Sequence, residues 1–185
     1  MTYSLTWLAD VLRAAKLTVV ELPGWQTRGR GPMGVVKGVM LHHTACSAHA
    51  ASPDPSLGTV ERGRPDLPGP LAHLLLGKDG VYHVVAAGRC NHAGRGVWQH
   101  ISSGNSCFIG IEAENDGVHE PWPAIQMDAY HKGVAALLKH LGAKPGMACG
   151  HKEYCLPKGR KTDPDFDMVA FRVEVAKLMG EENDS

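Results

Sequence analysis

The 185-residue sequence contains 43% hydrophobic and 21% charged residues, which is typical of one globular domain large enough to bury a core. Lys and Arg together number 19, as do Asp and Glu, so no excess of positive charge indicates binding to nucleic acid or to an anionic membrane. We expect no membrane insertion either, because no apolar run approaches the roughly 20 residues that a membrane span needs.

The N-terminus does not have the pattern of an export signal, because Asp10 and Arg13 interrupt the stretch that would have to be apolar. We therefore expect synthesis and folding in the cytoplasm, with the five cysteines as reduced thiols. Their odd number argues against a disulfide framework, although a Cys90 to Cys107 bridge stays open. The eleven histidines are the unusual feature of the composition and are the first candidates for chemistry.

The first half of the chain predicts a helix, a strand and a long loop. Apolar residues at helical spacing behind Ser4, a residue type that caps helices, predict a helix over residues 4–16 and then an extended segment, Leu17–Leu22. The apolar, β-branched run Val35–His43 predicts a buried strand. Residues 46–70 are rich in proline and predict a long loop, which is a candidate wall of a cleft.

The second half predicts two more strands in a hairpin, a further strand and two helices. Leu71–Leu76 and Val81–Ala86 flank an Asp-Gly turn and predict the hairpin. Residues 108–114 predict the further strand, and residues 123–142 predict a helix that Pro123 opens and Gly142 closes. Asp167 is expected to cap the last helix, whose inward-facing residues are Phe171, Val175 and Leu178.

Strands that alternate with helices, without a repeat or a linker, predict an α/β fold with a central mixed β-sheet flanked by helices. We expect residues 1–185 to form a single domain. Residues 1–30 are expected to pack on it as an N-terminal helix and an extended segment, and residues 181–185 are expected to fray.

Histidines at two places in the chain are candidate metal ligands. His42 and His43 end a predicted strand, and because side chains alternate, only one of them can enter a given site. Zinc binds His nitrogen, Cys sulfur and Asp oxygen, and a catalytic zinc site uses three protein ligands and keeps one position open. His42 and His151 with either Cys155 or Asp163 would supply such a set, and ligand chemistry alone leaves both third ligands open.

The strand over residues 108–114 carries a candidate general base. Alternation turns Ile109 and Ile111 toward the core and Glu112 to the other face, beyond Gly110, which leaves open space in front of the carboxylate. Glu112 lies nearer the middle of the apolar run than Glu114, so we expect burial to raise its pKa toward the range of a general base. The alternative is an ordinary strand with a solvated outer face.

Taken in order, these residues resemble the zinc-dependent N-acetylmuramoyl-L-alanine amidases of the type 2 amidase and peptidoglycan recognition protein superfamily. The resemblance covers residues 35–172 and implies the fold of that superfamily. Its motifs are Val39–Ala45, Asp79–Gly80, Asn91–Gly94, Ile109–Glu112, Gly150–His151 and Arg160–Pro164. Each motif alone is common, whereas their order is specific.

The resemblance implies that His42, His151 and Asp163 bind Zn²⁺. It favours Asp163 over Cys155, because bacterial members place their ligand aspartate in this Lys-Thr-Asp-Pro context, although the segment after His151 is slightly longer here. Ala72 stands where phage members have a tyrosine that assists catalysis, so the resemblance assigns the base role to Glu112 alone.

The reaction that the resemblance implies is hydrolysis of the amide between N-acetylmuramic acid and the L-alanine of the stem peptide. Zinc lowers the pKa of its water from 15.7 to about 7 and polarises the carbonyl. Glu112 would move the proton from water to the leaving amine, and Lys161 would stabilise the oxyanion. His92 is expected to contact the substrate, with a purely structural histidine as the alternative. The expected partners are peptidoglycan or muropeptides, and we expect a monomer.

Three alternatives compete with a zinc amidase. A non-catalytic peptidoglycan recognition module would have lost a ligand, and the set implied above is complete. A cysteine peptidase would use Cys46, Cys90 or Cys107, none of which begins a predicted helix that would lower its pKa. A structural zinc site would be closed by four ligands rich in cysteine.

Two biological settings fit the amidase. A phage endolysin is released through a membrane pore and acts on the host cell wall, while a recycling amidase stays in the cytoplasm and cleaves soluble muropeptides. The long loop after His43 and the single compact domain resemble endolysins, which we favour.

Overall fold

A six-stranded mixed β-sheet forms the centre of the computed structural model, which describes residues 2–46 and 50–180. The strands are β1 (Val19–Glu21), β2 (Gly38–His43), β3 (Gly63–Arg64), β4 (Leu67–Pro68), β5 (Leu74–Leu76), β6 (Tyr82–Val84), β7 (Phe108–Ala113) and β8 (Ala148–Gly150). The helices are α1 (Leu8–Ala14), α2 (Leu57–Arg62), α3 (Gly104–Cys107), α4 (Ala124–Leu141), α5 (His151–Tyr154) and α6 (Met168–Met179). Short 3-10 turns cover Trp25–Thr27 and Pro145–Met147.

The strand order in the large sheet is β1-β6-β5-β7-β2-β8. The predicted hairpin, β5 and β6, is its antiparallel pair, and all other neighbours run parallel. The small pair β3 and β4 is antiparallel and separate from the large sheet. The chain is thus a single α/β domain with a mixed central sheet flanked by helices, as predicted.

The two faces of the sheet are covered differently. Leu41, Ile109 and Ile111 belong to the main core, in which α4 and α6 pack on the sheet and α1 packs on α4. The alternation predicted for β7 is confirmed, because Phe108 lies in a second, smaller cluster with Met40 on the other face. That other face, which the long helices leave free, carries the candidate site.

The N-terminal helix is shorter than predicted. Residues 4–7 form turns, α1 begins at Leu8, and Trp7 rather than Ser4 occupies the N-cap position. Leu5 is buried although it lies in a turn. The spacing of apolar residues therefore marked which residues are buried, and it extended beyond the helix itself. The extended segment after α1 adds β1 to the sheet beside β6, where Leu22 donates its N–H to the carbonyl of Val84.

The prediction of one long loop over residues 46–70 is wrong, because this segment contains α2 and the small hairpin of β3 and β4. α2 forms because Val60 packs into a buried apolar cluster with Leu75 and Val85. The proline-rich composition of the segment gives no sign of this tertiary contact. The strand β8 was not predicted, because three residues are too few to show a periodic pattern.

The predicted ends of the two long helices are confirmed. Gly142 adopts the left-handed conformation after α4, with φ of 62°, and the side chain of Asp167 accepts the N–H groups of Val169 and Ala170 before α6. The prediction that Leu178 faces inward is wrong, since this residue is 44% exposed. Residues 181–185, predicted to fray, lie outside the described residues. Within the described part of the chain, the helices are too short or too polar to cross a membrane.

Candidate active site

A cavity of about 280 Å³ opens where the carboxyl ends of β2, β7 and β8 meet, which is the usual place for a ligand in a sheet with parallel strands. His42 lies at the end of β2, directly opposite Glu112 of β7 in the strand register. His151 follows β8 immediately, and Asp163 lies in the segment between α5 and α6. All four residues line the cavity.

Three of the predicted ligands form a compact triangle. The Nδ1 atoms of His42 and His151 lie 3.0 Å apart, and Oδ2 of Asp163 lies 2.9 Å from the first and 3.0 Å from the second. All three side chains are buried. Among the described residues, this is the one group of three or more His, Cys, Asp and Glu side chains whose ligand atoms meet closely enough to hold a metal ion.

The tautomer of His151 shows why a cation fits this triangle. Its Nε2 lies 2.9 Å from the carbonyl oxygen of Ala93, which can only accept, so Nε2 carries the proton of the neutral ring. The lone pair of Nδ1 then faces the carboxylate of Asp163, and two acceptors at this distance repel each other. A proton or a metal cation between them removes the repulsion, so the residues present fit a metal ion.

The charge states of the ligands agree with this fit. Burial and the neighbouring His151 lower the pKa of His42 to about 4, so its ring is neutral near pH 7. Burial alone raises the pKa of Asp163, but hydrogen bonds with His151 and His42 outweigh burial and hold that pKa well below its usual range. The site therefore offers the neutral imidazole of His42 and the carboxylate of Asp163 beside Nδ1 of His151, and imidazole with carboxylate is a donor set that divalent transition metals accept.

Cys155, the alternative third ligand, points elsewhere. Its Sγ lies 3.6 Å from the carbonyl oxygen of Lys152 and 3.7 Å from that of Pro157, and it is not part of the ligand triangle. The geometry therefore favours Asp163 as the third donor.

Glu112 is placed beside the ligand triangle. Its Oε1 lies 4.0 Å from Nδ1 of His42, and its Oε2 is buried without a hydrogen-bond partner in the described structure. Burial raises the pKa of Glu112 well above its usual range, the charge of Asp163 raises it further, and the charge of Lys161 opposes both. An unpartnered carboxylate oxygen with a raised pKa can accept a proton from a group in the cavity.

Positive charge lines the rim of the cavity. Lys161, Arg64 and Arg160 all line it, and the side chain of Lys161 is exposed. The charge of Lys161 lowers the pKa of both His42 and Glu112, which places it within electrostatic reach of the two. Although the whole chain has no net charge, this rim can attract an anionic substrate.

His92 occupies the space that was predicted to be open. Its ring lies over Gly110, and its Nδ1 is 3.2 Å from Nε2 of His42. The prediction of open space beyond Gly110 is therefore wrong, because a residue distant in sequence fills it. His92 also lines the cavity, so its contact with a substrate stays a prediction beside the observed contact with His42.

His43, Ala72 and the cysteines lie outside the ligand triangle. His43 is buried outside the ligand triangle, with its Nδ1 3.6 Å from Oδ1 of Asp165. Ala72 is buried in the apolar cluster around Val60. The cysteines are free thiols, and in the described structure none of them lines the cavity. Burial raises the pKa of Cys90 well above its usual value, the opposite of what a nucleophile needs.

Two further residues support the site and were not predicted. Glu114 is fully buried, and its carboxylate accepts hydrogen bonds from Thr44 and Ser56, which ties the segment after β2 to the sheet. Asn105 accepts the backbone N–H groups of His92 and Ala93, the two residues that contact His42 and His151. Both act on partners far along the chain, so no local pattern could identify them.

Known proteins resemble this chain in sequence and in fold. The family model described as N-acetylmuramoyl-L-alanine amidase matches residues 32–166, most of the chain. No curated protein matches the sequence.

Three solved structures illustrate the similarity of fold. A selenomethionine derivative of AmpD has a TM-score of 0.61 and 19% identity, covering 94% of this chain and 99% of that one. The amidase AmiD from E. coli, solved in complex with an anhydro-N-acetylmuramic acid peptide, has a TM-score of 0.61 and 20% identity, covering 80% and 60%. A mutant endolysin from Bacillus subtilis has a TM-score of 0.62 and 17% identity, covering 86% and 99%. At these identities the structures support the fold, while the family match assigns the chain: it belongs to the N-acetylmuramoyl-L-alanine amidase family, Amidase_2.

Proposed function

We propose that this protein is a zinc-dependent hydrolase that cleaves the amide between N-acetylmuramic acid and L-alanine in peptidoglycan. The observation that carries the proposal is the buried triangle of His42, His151 and Asp163 with the unpartnered Oε2 of Glu112 beside it. Family membership supports the bond that is cleaved, and the muropeptide bound to AmiD supports the class of substrate.

In this proposal His42, His151 and Asp163 hold the metal, and Glu112 moves the proton. When bound, zinc polarises a carbonyl oxygen and makes water more acidic. Glu112 accepts a proton as water attacks the amide carbon, and it returns that proton to the nitrogen as the carbon–nitrogen bond breaks. The products are a free lactyl carboxylate and a peptide with a free amino terminus on L-alanine.

Lys161 supplies positive charge at the rim of the same cavity. We propose that its ammonium stabilises the negative charge that develops on the carbonyl oxygen during the reaction. The cations of Arg64 and Arg160 extend the positive rim toward the carboxylates of a stem peptide.

We propose further that the protein is an endolysin, made in the cytoplasm and acting on the host wall after release. Support comes from the segment that follows β2, because Arg64 and Leu67 of its β3–β4 hairpin form part of the cavity wall. This long segment is the part of the sequence that resembles endolysins. The alternative, a cytoplasmic recycling amidase, would act on soluble muropeptides.

The test is to incubate the purified protein with insoluble peptidoglycan and, separately, with soluble muropeptides, each with and without a chelator. Mass spectrometry identifies the new termini. We expect chelator-sensitive release of L-alanine amino termini, and Glu112→Gln serves as the control for contaminating hydrolases. Faster cleavage of insoluble peptidoglycan would support the endolysin, and faster cleavage of muropeptides the recycling enzyme. Cleavage at another bond, or cleavage that resists the chelator, would overturn the zinc amidase.

A further inference from the structure

One short loop contacts both histidines of the ligand triangle, on the side of each ring that faces away from the triangle. In this 91–94 loop (residues Asn91–Gly94), Nδ1 of His92 lies 3.2 Å from Nε2 of His42. The carbonyl oxygen of the next residue, Ala93, lies 2.9 Å from Nε2 of His151. In both rings the nitrogen that points away from the triangle therefore has a partner in the same loop. These contacts leave Nδ1 of each ring free to face the metal position.

One side chain holds the two central residues of this loop. Oδ1 of Asn105, in α3, accepts the backbone N–H of His92 at 2.9 Å and that of Ala93 at 2.7 Å. These are the two residues that contact His42 and His151. One carboxamide oxygen thus holds, by their backbone N–H groups, the two residues from which both contacts arise.

The helix α3 is itself tied to α5, the helix that carries His151. The hydroxyl of Tyr154 accepts the N–H of Gly104 at 3.0 Å and donates to the carbonyl of Ser102 at 2.6 Å. Tyr154 lies in α5, the same four-residue helix that begins with His151. The contacts form a closed circuit that runs from α5 through α3 to the 91–94 loop and back to His151.

The packing between α3 and the 91–94 loop is tight. A Cβ on Gly104 would lie 2.4 Å from Cβ of Ala93 and 2.9 Å from the hydroxyl of Tyr154. No side chain fits at this position, so α3 can approach the loop closely enough for the Asn105 carboxamide to reach both N–H groups. The circuit is therefore rigid at the point where Asn105 acts.

We propose that Asn105 is a positioning residue that orients both metal-binding histidines through the 91–94 loop. It is not a ligand, since its Oδ1 is occupied by two backbone N–H groups. Loss of this oxygen would leave both N–H groups without their acceptor and would release His92 and Ala93 together. Because outer-shell partners fix the ring orientation and tautomer of ligand histidines, the metal affinity would fall. This inference rests on the proposed metal site.

The test measures the zinc affinity of the purified full chain by competition with a chromophoric chelator. Asn105→Ala removes the acceptor, and we expect zinc to bind about 10- to 100-fold more weakly. Asn105→Asp keeps an oxygen that can accept both N–H groups, so we expect affinity close to that of the wild type. The matched control is Asn91→Ala, which removes an amide from the same loop; Nδ2 of Asn91 donates to the carbonyl of Pro68 and does not contact the N–H groups of His92 and Ala93.

A second readout is the visible absorption spectrum of the Co²⁺-substituted protein, which reports the geometry of the ligands. We expect the spectrum to change in Asn105→Ala and to be restored in Asn105→Asp. If Asn105→Ala does not fold, Asn105→Gln takes its place, because it keeps the amide but is one methylene too long to hold the loop in position.

The outcomes separate this inference from the proposed function. A wild-type protein that binds no zinc would refute the proposed metal site itself. Tight zinc binding by the wild type and equally tight binding by Asn105→Ala would overturn the role of Asn105. Equal weakening in Asn91→Ala and Asn105→Ala would also overturn it, since any loosening of the loop would then suffice. A change confined to the KM for substrate would assign Asn105 to substrate contact instead.

Discussion

The imidazole ring of His92 lies against the bare Cα of Gly110, so that a Cβ on Gly110 would come 2.7 Å from Cγ and 2.8 Å from Nδ1 of that ring. The same Nδ1 contacts His42. A glycine in the middle of β7 therefore sets the distance between the sheet and the ring that contacts His42, a proposed metal ligand. In a strand interior, glycine often marks such a close approach.

We expect Gly110→Ala to push His92 away from His42 and so to weaken zinc binding about tenfold or more. Overpacking should also lower the free energy of unfolding by about 1–3 kcal/mol. Zinc competition and urea unfolding measure the two effects. Gly34→Ala is the control, because a Cβ there would meet its nearest neighbour, the carbonyl oxygen of Ser106, at an ordinary 3.5 Å. Unchanged zinc affinity in Gly110→Ala would contradict the support that we assign to His92.

Substitutions of Asp163 and of Cys155 should have different effects on the zinc content of the protein. Asp163→Ala removes one corner of the ligand triangle, so we expect the purified variant to retain far less zinc than the wild type. Cys155→Ser changes a residue whose Sγ faces backbone carbonyls, so we expect full zinc content. Elemental analysis of both proteins measures the metal directly. The reverse result would make Cys155 the third ligand.

Glu112→Gln removes the proposed base but keeps the size of the side chain. We expect turnover of muropeptides to fall about 10²- to 10⁴-fold, because the amide cannot accept the proton. Zinc content should stay at the wild-type level, since Glu112 lies outside the ligand triangle. Turnover near that of the wild type would remove Glu112 from the mechanism.

The low pKa of the buried histidine His73 predicts how the free energy of unfolding depends on pH. Burial lowers the pKa of His73 to about 3, from 6.5 for an exposed histidine, and its Nδ1 accepts the N–H of Gly110. Below about pH 6.5 the unfolded chain binds a proton that the folded chain does not, so the free energy of unfolding of the metal-free protein should fall as pH decreases from 6.5 toward 3. The slope approaches about 1.4 kcal/mol per pH unit for each such histidine.

Urea unfolding at several pH values in the presence of a chelator measures this slope. His42, whose pKa burial lowers to about 4, contributes in the same direction. We expect His73→Asn to reduce the slope, because asparagine can accept the Gly110 N–H but does not titrate. Identical slopes for the variant and the wild type would show that His73 does not carry the effect.

The sequence predicted those parts of the fold that depend on local chemistry. The left-handed glycine after α4, the Asp167 cap and the two-residue alternation of β7 each depend on neighbours within a few positions. It could not predict α2 or β8, because a six-residue helix among prolines and a three-residue strand exist only through tertiary contacts.

The candidate site divides in the same way. Ligand chemistry and the family resemblance identified His42, His151 and Asp163, which the fold brings together. The supports behind them involve a backbone carbonyl and an amide side chain, and any residue has the first while many surface positions have the second. Only the folded chain shows which carbonyl reaches His151 and which asparagine reaches the 91–94 loop.

The parallel strand β1 is an edge strand of the large sheet. It covers β6, and Tyr82 and Val84 use their backbone groups to bond to Thr18 and Leu22. β1 lies outside residues 32–166, the part that matches the family. A truncated protein cut to that match would end the sheet at β6 and would leave the backbone groups that bond to Thr18 and Leu22 without partners. Residues 17–22 thus complete the backbone hydrogen bonding of β6, which the residues that match the family would leave open on their own.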